Sequence, residues 1–164
     1  MKILDQRQIK QKIKRLAIHI LENNYDEGEI ILAGINNNGT NFAKLIYKEL
    51  NKISDSKVTL TRIKLSPANP LEKEVEIEMP IKDLKKKAII IVDDVANTGR
   101  TIFYAMKPLF DILPKKIEVA VLVDRKHKSF PVKVDYVGLS LATTMKEDID
   151  VQLAKVQEMA VFLN

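Results

Sequence analysis

Cysteine is absent from the 164 residues, which excludes disulfides, thiolate catalysis and cysteine-ligated zinc. Histidine is nearly as scarce. His19 and His127 lie far apart, without the close spacing of a ligand pair, which argues against a structural metal site. No segment approaches the roughly 18 consecutive apolar residues of a membrane span. The first residues, MKILDQRQIKQKIKRL, interleave charge with apolar side chains where a secretory signal would be continuously apolar. A cytoplasmic protein with no membrane partner is therefore expected. A Ser/Pro/Gly-rich linker, an internal repeat and a low-complexity tract are missing as well. The chain reads as one domain over residues 1–164, long enough for a core of its own.

What is there suits a globular protein: 46% apolar and 30% charged residues. The net charge of +5 is compatible with phosphorylated ligands or RNA without requiring either. Most of the positive charge is lysine spread along the chain, as on a solvated surface.

Hydrophobic periodicity sets out the elements. Ile9, Ile13, Leu16, Ala17, Ile20 and Leu21 recur at helical spacing within residues 5–24, and Asp5 with Gln8 resembles a capping box. Residues 29–35 (EIILAGI) read as a buried strand, followed by a polar loop, NNNG, and a helix over 40–50. Residues 57–65 read as a strand and SPANP (66–70) as a turn. Residues 74–80 alternate cleanly, as at a sheet edge. The unbroken apolar run at 88–92 suits a strand buried on both faces, and 117–123 (IEVAVLV) reads as a second continuous strand. Residues 101–113 look helical, but Pro108 predicts a kink or an early end. A strand at 134–137 and short apolar pieces at 149–153 and 160–163 complete the chain. Alternating strands and helices predict an α/β fold, a mostly parallel sheet with helices on both faces. Ligands bind outside the carboxyl ends of such strands. Four segments leave strand ends: 36–39, 66–70, 93–100 and 124–129.

The chemistry concentrates in AIIIVDDVANTGRT, residues 88–101. Asp93 and Asp94 end an apolar strand, and carboxylates there accept paired hydrogen bonds from a vicinal diol and attract Mg²⁺. Gly99 permits a tight turn. Thr98 and Thr101 offer hydroxyls, and amides at the start of the following helix suit a phosphate. A ribose 5-phosphate would satisfy both halves.

IIIVDDVANTGRT resembles the phosphoribosyl-pyrophosphate (PRPP) motif of type I phosphoribosyltransferases. DRKHKSFPVKVDYVG (124–138), TTMKEDIDVQL (143–153) and ILDQRQIKQKI (3–13) are similar to a branch of that family that combines attenuation of pyrimidine operons with uracil phosphoribosyltransferase activity. The resemblance implies the type I fold with a small flexible hood, and a homo-oligomer. Asp93 and Asp94 would hold the ribose hydroxyls and serve catalysis. Val95, Ala96, Asn97, Thr98, Gly99, Arg100 and Thr101 would bind the 5-phosphate and ribose. Asn36, Asn37, Asn38 and Gly39 would form the pyrophosphate loop, and Asp124, Arg125, Lys126 and His127 the wall beside a pyrimidine base or nucleotide. Mg²⁺ would ride on PRPP rather than in a protein cage.

The chain departs from the family in several places. Its pyrophosphate loop, GINNNG, is uncharged where the family usually carries a basic residue, and neutral donors hold phosphate more weakly than charged ones. TRIKLSPANPLEK (61–73) lacks the family's tyrosine in the hood, which leaves Arg62 and Lys64 as pyrophosphate contacts. Asn97 replaces a bulkier residue, and Lys126 replaces a glycine. Three functions remain: a transferase making a nucleotide, an RNA-binding attenuator and a non-catalytic nucleotide or PRPP sensor. Lys10, Lys12, Lys14 and Arg15 supply a basic helix face for the second. GINNNG lacks the lysine of a phosphate-binding nucleotidase loop, and a phosphoacceptor receiver does not account for T-G-R-T. His19 reads as surface or interface, and His127 as base contact or solvated loop. Phe103 and Tyr104 read as packing, and Lys85 to Lys87 as a solvated turn.

Overall fold

The computed structural model describes residues 1–142, 144 and 146–164. Thr143 and Met145, within the family-like 143–153 stretch, lie outside the described residues. The strands are β1 (Lys2–Leu4), β2 (Glu29–Ile35), β3 (Lys57–Lys64), β4 (Glu76–Ile77), β5 (Ala88–Ala96), β6 (Lys116–Arg125), β7 (Tyr136–Leu141), β8 (Ile149–Gln152) and β9 (Ala160–Leu163). The α-helices are α1 (Gln6–Asn24), α2 (Asn36–Ile53) and α3 (Arg100–Ala105), with 3-10 turns at Ile81–Leu84 and Lys107–Asp111. None of the described helices is long and apolar enough to cross a membrane.

The main sheet has the order β4-β3-β2-β5-β6-β7, parallel except for β4, which pairs antiparallel at the edge. Side chains alternate along a strand, so each unbroken apolar run divides between two cores. Ile30, Leu32, Ile90, Val92, Ala120 and Leu122 pack with α1 and α2. Ile31, Ala33, Ile89, Ile91, Val119 and Val121 pack on the other face with Ile102 and Ala105 of α3 and Leu109 beyond it. Fully burying one such isoleucine is worth about 1.5–3 kcal/mol, and water at either face would forfeit that gain. Helical cover on both faces matches the expected class.

Local signals hold closely at α1. Gln8 N donates to Asp5 Oδ1 at 2.8 Å, and the Gln8 side chain accepts from Asp5 N at 2.9 Å, closing the box. α3 is short, and Pro108 sits in the 3-10 turn that replaces further helix. Several boundaries differ from expectation: α2 runs on to Ile53, β6 spans Lys116–Arg125, β4 is only Glu76–Ile77, and three further differences bear on the site or the sheet. NNNG is not a loop: α2 begins at Asn36, because Gly39 lets its first turn lie against β5, where an added Cβ would stand 2.5 Å from the Val92 carbonyl oxygen. β5 continues through the aspartates to Ala96, because Val95 and Ala96 still pair with β6. The last parallel strand begins at Tyr136 rather than residue 134, where pairing with Ala120 starts.

β1, β9 and β8 form a second, antiparallel sheet built from the two ends of the chain. The hood expected in the segment after β3 is thus not the only cover. A cavity of about 150 Å³ between this sheet and α2 is lined by Asn38, Asn41, Asp94 and residues 151–154 and 156. β1 escaped periodicity because three residues carry no period.

Glu29 joins three strands at the amino end of the main sheet. Its carboxylate accepts from Thr59 Oγ1 at 2.5 Å and pairs with Lys87 Nζ at 3.1 Å and Lys57 Nζ at 3.6 Å. The Thr59 hydrogen bond, then these lysines, hold its pKa below the ordinary glutamate value despite partial burial. A depressed carboxylate stabilises above its unfolded pKa and loses that contribution as pH falls through the native one. Glu29→Gln is expected to lower stability by about 1 kcal/mol at pH 7. Urea titrations of both proteins should converge once the pH lies below the native pKa of Glu29.

Candidate functional site

Chain order reverses between β2 and β5: β2 leads outward to β3, while β5 leads the other way to β6. A crevice opens at such a switch point, at the carboxyl ends of the strands. Three of the four expected segments meet there, in a cavity of about 400 Å³ lined by Asn36, Asn37, Asn38, Pro67, Asp93, Asp94, Val95, Asn97 and Thr101, with Ile149 of β8 closing one side. No lysine, arginine or histidine is among the described residues lining it.

Asp93 is only 8% exposed. Burial pushes its carboxyl well above the usual carboxylate range, and the neighbouring Asp94 charge adds to the rise. Asp94 is raised as well, chiefly by burial, with a contribution from the charge of Asp150 on β8. Backbone amides partly compensate: Asp94 N donates to Asp93 Oδ1 and Val95 N to Asp94 Oδ1, both at 2.9 Å. Two crowded carboxylates with spare acceptor capacity suit hydroxyl donors and a cation.

The loop after β5 has a cavity of its own, of about 260 Å³, lined by Pro67 and the residues from Val95 to Ile102. Gly99 turns the chain with φ 87°, in the left-handed region that glycine enters without strain. Among the described residues the amides of Thr98, Gly99 and Thr101 carry no backbone hydrogen bond. The Thr98 carbonyl accepts from Ser129 N at 2.9 Å and Phe130 N at 3.2 Å, which fixes the loop to the segment after β6. Phe103 stacks edge-on against Tyr104 and lies 5.5 Å from Phe130, so these rings pack behind the loop, as expected.

The segment from Asn36 to Gly39 reaches the same crevice with a different distribution of roles. Asn37 and Asn38 are exposed to it. Asn36 is not free: its Nδ2 donates to the Leu65 carbonyl at 2.9 Å and its Oδ1 accepts from Leu65 N at 3.1 Å. Arg62 and Lys64 do not line the crevice. Arg62 Nε donates to Thr40 Oγ1 at 3.2 Å, and Lys64 pairs with Glu78 at 3.4 Å, because β3 delivers them one strand away from the switch point.

On the fourth segment, Asp124 is held by Lys128 Nζ at 2.6 Å. Arg125 donates through Nη2 to the Glu147 carbonyl, which ties the segment to the approach to β8. Lys126 and His127 are exposed, and His127 stands as a solvated loop residue. Lys128 lies within the expected segment 124–129, but its pairing with Asp124, signalled by the four-residue offset, was not foreseen, and neither was Asp150, which no local pattern marks. His19 lies on the surface of α1, edge-on to Tyr136 at 4.8 Å.

A model of the phosphoribosyl transferase domain matches residues 1–156. The chain is 36% identical to the "Bifunctional protein PyrR" of Bacillus velezensis, covering 95% of this chain and 91% of the relative. It is 35% identical to the protein of that name from Bacillus subtilis, over the same shares. Among solved structures, the hypoxanthine phosphoribosyltransferase of Trypanosoma cruzi aligns with a TM-score of 0.78 at 17% identity, covering 98% of this chain and 95% of that one. A hypoxanthine-guanine phosphoribosyltransferase from Bacillus anthracis aligns at 0.72 and 21% identity, covering 85% and 81%. These two likenesses establish the fold.

A buried carboxylate with a raised pKa costs the native state free energy whenever it is ionised, and the cost disappears as pH falls through its native pKa. Asp93→Asn keeps an acceptor for the Asp94 amide and removes the charge. It is expected to raise the melting temperature of the ligand-free protein by about 2–4 °C at pH 8, roughly 1 kcal/mol in a chain of this size. The gap should narrow on acidification, as followed by scanning calorimetry.

Proposed function

The chain belongs to the phosphoribosyl transferase domain family, and from that membership we propose that it transfers ribose 5-phosphate from PRPP to a pyrimidine base, with uracil giving UMP and pyrophosphate. One observation carries the residue assignment: an acid pair, Asp93 buried and Asp94 half-buried, and a loop of unbonded amides line adjoining cavities at one switch point. Asp93 and Asp94 hold the ribose hydroxyls. The loop from Ala96 to Thr101 holds the 5-phosphate through the amides of Thr98, Gly99 and Thr101. Asn37 and Asn38 face the diphosphate, and Asp124 and Arg125 flank the base.

In the reaction the bond from the anomeric carbon to the diphosphate oxygen breaks with its electron pair leaving on the diphosphate. A ring nitrogen of the base forms the new bond and gives up its proton. Positive charge develops on the sugar as the leaving group departs. The two neighbouring carboxylates stabilise that charge more than they would in water, because Asp93 is almost excluded from solvent. Fixing the sugar at the acids of β5 and the base beside the end of the neighbouring β6 removes much of the entropic barrier.

Mg²⁺ fits this site on chemical grounds. Two carboxylates line a cavity without a basic side chain among its described residues, so a diphosphate placed there needs a cation. Asp93 and Asp94 would hold it together with the ligand's own oxygens, and it would neutralise the departing diphosphate.

A second activity, RNA binding, is favoured by one surface. Lys12, Arg15 and His19 of α1 line a groove of about 170 Å³ with Val137 and Gly138 of β7, and Lys10 and Lys14 are exposed on the same helix. The relatives are named bifunctional. Phosphate contacts from such a face release counterions.

Incubation with PRPP, Mg²⁺ and a panel of bases should yield a nucleoside monophosphate, and absence of product with every base would refute the transferase. Gly99→Ala places a Cβ at a positive φ and 3.3 Å from Val132 and the Lys128 stem. That strain of about 1–2 kcal/mol should lower kcat/KM for PRPP roughly tenfold. For RNA, affinity should fall steeply with salt, and Lys12→Gln with Arg15→Gln should flatten the log–log slope by about 1 per removed contact. A salt-independent response in the unmodified protein would rule the RNA reading out.

A further inference from the structure

The segment that follows β3 is fastened at two points by side chains from the two ligand loops. Asn36 bonds both the N–H and the carbonyl of Leu65. Arg100 Nη2 donates to the Pro67 carbonyl at 2.8 Å. Pro67 is exposed, yet it lines both the 260 Å³ cavity of the phosphate loop and the 400 Å³ crevice above the acid pair. Leu65, by contrast, is anchored in the core beneath α3. Pro67 to Asn69 are exposed between the buried Leu65 and the buried Pro70, and Ser66 Oγ adds a hydrogen bond to Glu72 Oε2 at 3.2 Å, so the contacts of Asn36 and Arg100 are the ones that tie this stretch to the crevice.

The backbone explains why asparagine serves at position 36. Its φ is 51°, a conformation that asparagine tolerates better than most residues with a Cβ. That turn carries the chain from β2 directly into α2 and aims the amide sideways at β3 rather than into the crevice.

We infer that Asn36 and Arg100 are positioning residues that clasp residues 65–67 across the mouth of the crevice, so that the wall over the sugar is held by the same two loops that grip the ligand. The inference rests on the phosphoribosyl-binding reading of the crevice. Arg100 stands at the junction: its backbone belongs to the phosphate loop, and its guanidinium reaches the wall. A phosphate seated on the loop therefore settles beside the group that holds Pro67. Asn36, whose amide nitrogen and oxygen are both engaged, aligns the wall instead of contacting the diphosphate.

The Leu65 amide reports the clasp directly, because its hydrogen bond is to Asn36. Asn36→Gly keeps the positive φ accessible and deletes the side chain. It is expected to speed hydrogen exchange at Leu65 by about tenfold or more and to lower kcat/KM for PRPP about tenfold, the scale of one hydrogen bond. KM for the base should stay unchanged. Asn36→Asp retains the acceptor and should leave Leu65 slow. Arg100→Met should match the catalytic loss, and Arg100→Lys should recover part of it. An Asn36→Gly protein with Leu65 exchange and kcat/KM both within about twofold of the parent would overturn the clasp. If the parent made no product with any base while Leu65 exchange still rose in Asn36→Gly, the clasp would stand and the transferase assignment would fall.

Discussion

Asp93 meets water over only 8% of its surface, and its nearest charged neighbour is another carboxylate. Both circumstances penalise ionisation, yet the fold places this residue at the end of its central strand. The arrangement persists because β5 is paired on both sides, by β2 and β6, and has little freedom to move the side chain outward. Gly39 closes the space from the side of α2, since only a residue without Cβ lets that helix approach the Val92 carbonyl. Free energy lost in the empty site is recovered when donors and positive charge arrive. A ribose diol and a cation are such partners, and so is a sugar carrying charge in a transition state.

Around this pair the site is held by contacts to the main chain and by ion pairs whose charges are already matched. The loop after β5, proposed to seat the phosphate, is held by main-chain bonds from Ser129 and Phe130. Asn36 binds the Leu65 backbone, and Arg125 reaches the Glu147 carbonyl. Charged side chains near the site mostly pair with each other or with backbone, as Lys128 does with Asp124. On the proposed reading, a diphosphate placed in this crevice would depend on a metal and on loop geometry, because no basic side chain is among the described residues that line it. That is a different balance from one with a cation built into the loop after β2, because point charges act over several ångströms while amide contacts require close alignment.

Much of this architecture was legible in the chain. The strands read at 88–92 and 117–123 are buried on both faces from Ala88 to Val92 and from Val119 to Val123, where the apolar side chains run without a break, while Ile117 and Glu118 are only partly buried. The capping box at Asp5 and the helix end near Pro108 followed from local hydrogen bonding and ring geometry. VDDVANTGRT was readable because its chemistry is contiguous: acids, turn and amides fall within ten residues and need no distant partner. β1, too short to carry a period, was missed; the alternation at 74–80 placed β4 at the sheet edge, although only Glu76 and Ile77 pair; and NNNG read as loop because asparagine and glycine favour turns wherever packing does not overrule them.

Sequence alone determined the class of fold, the acid pair and the loop that follows it, because strand burial and tight turns are properties of neighbouring residues. Only the tertiary structure decided which remote side chains share the crevice. It turned Arg62 and Lys64 away, since β3 lies one strand from the switch point. It engaged Asn36 with Leu65 and brought Asp150 within electrostatic reach of Asp94. Such assignments depend on strand order and on the direction of single side chains, and those are set by packing across the sheet rather than by distance along the chain.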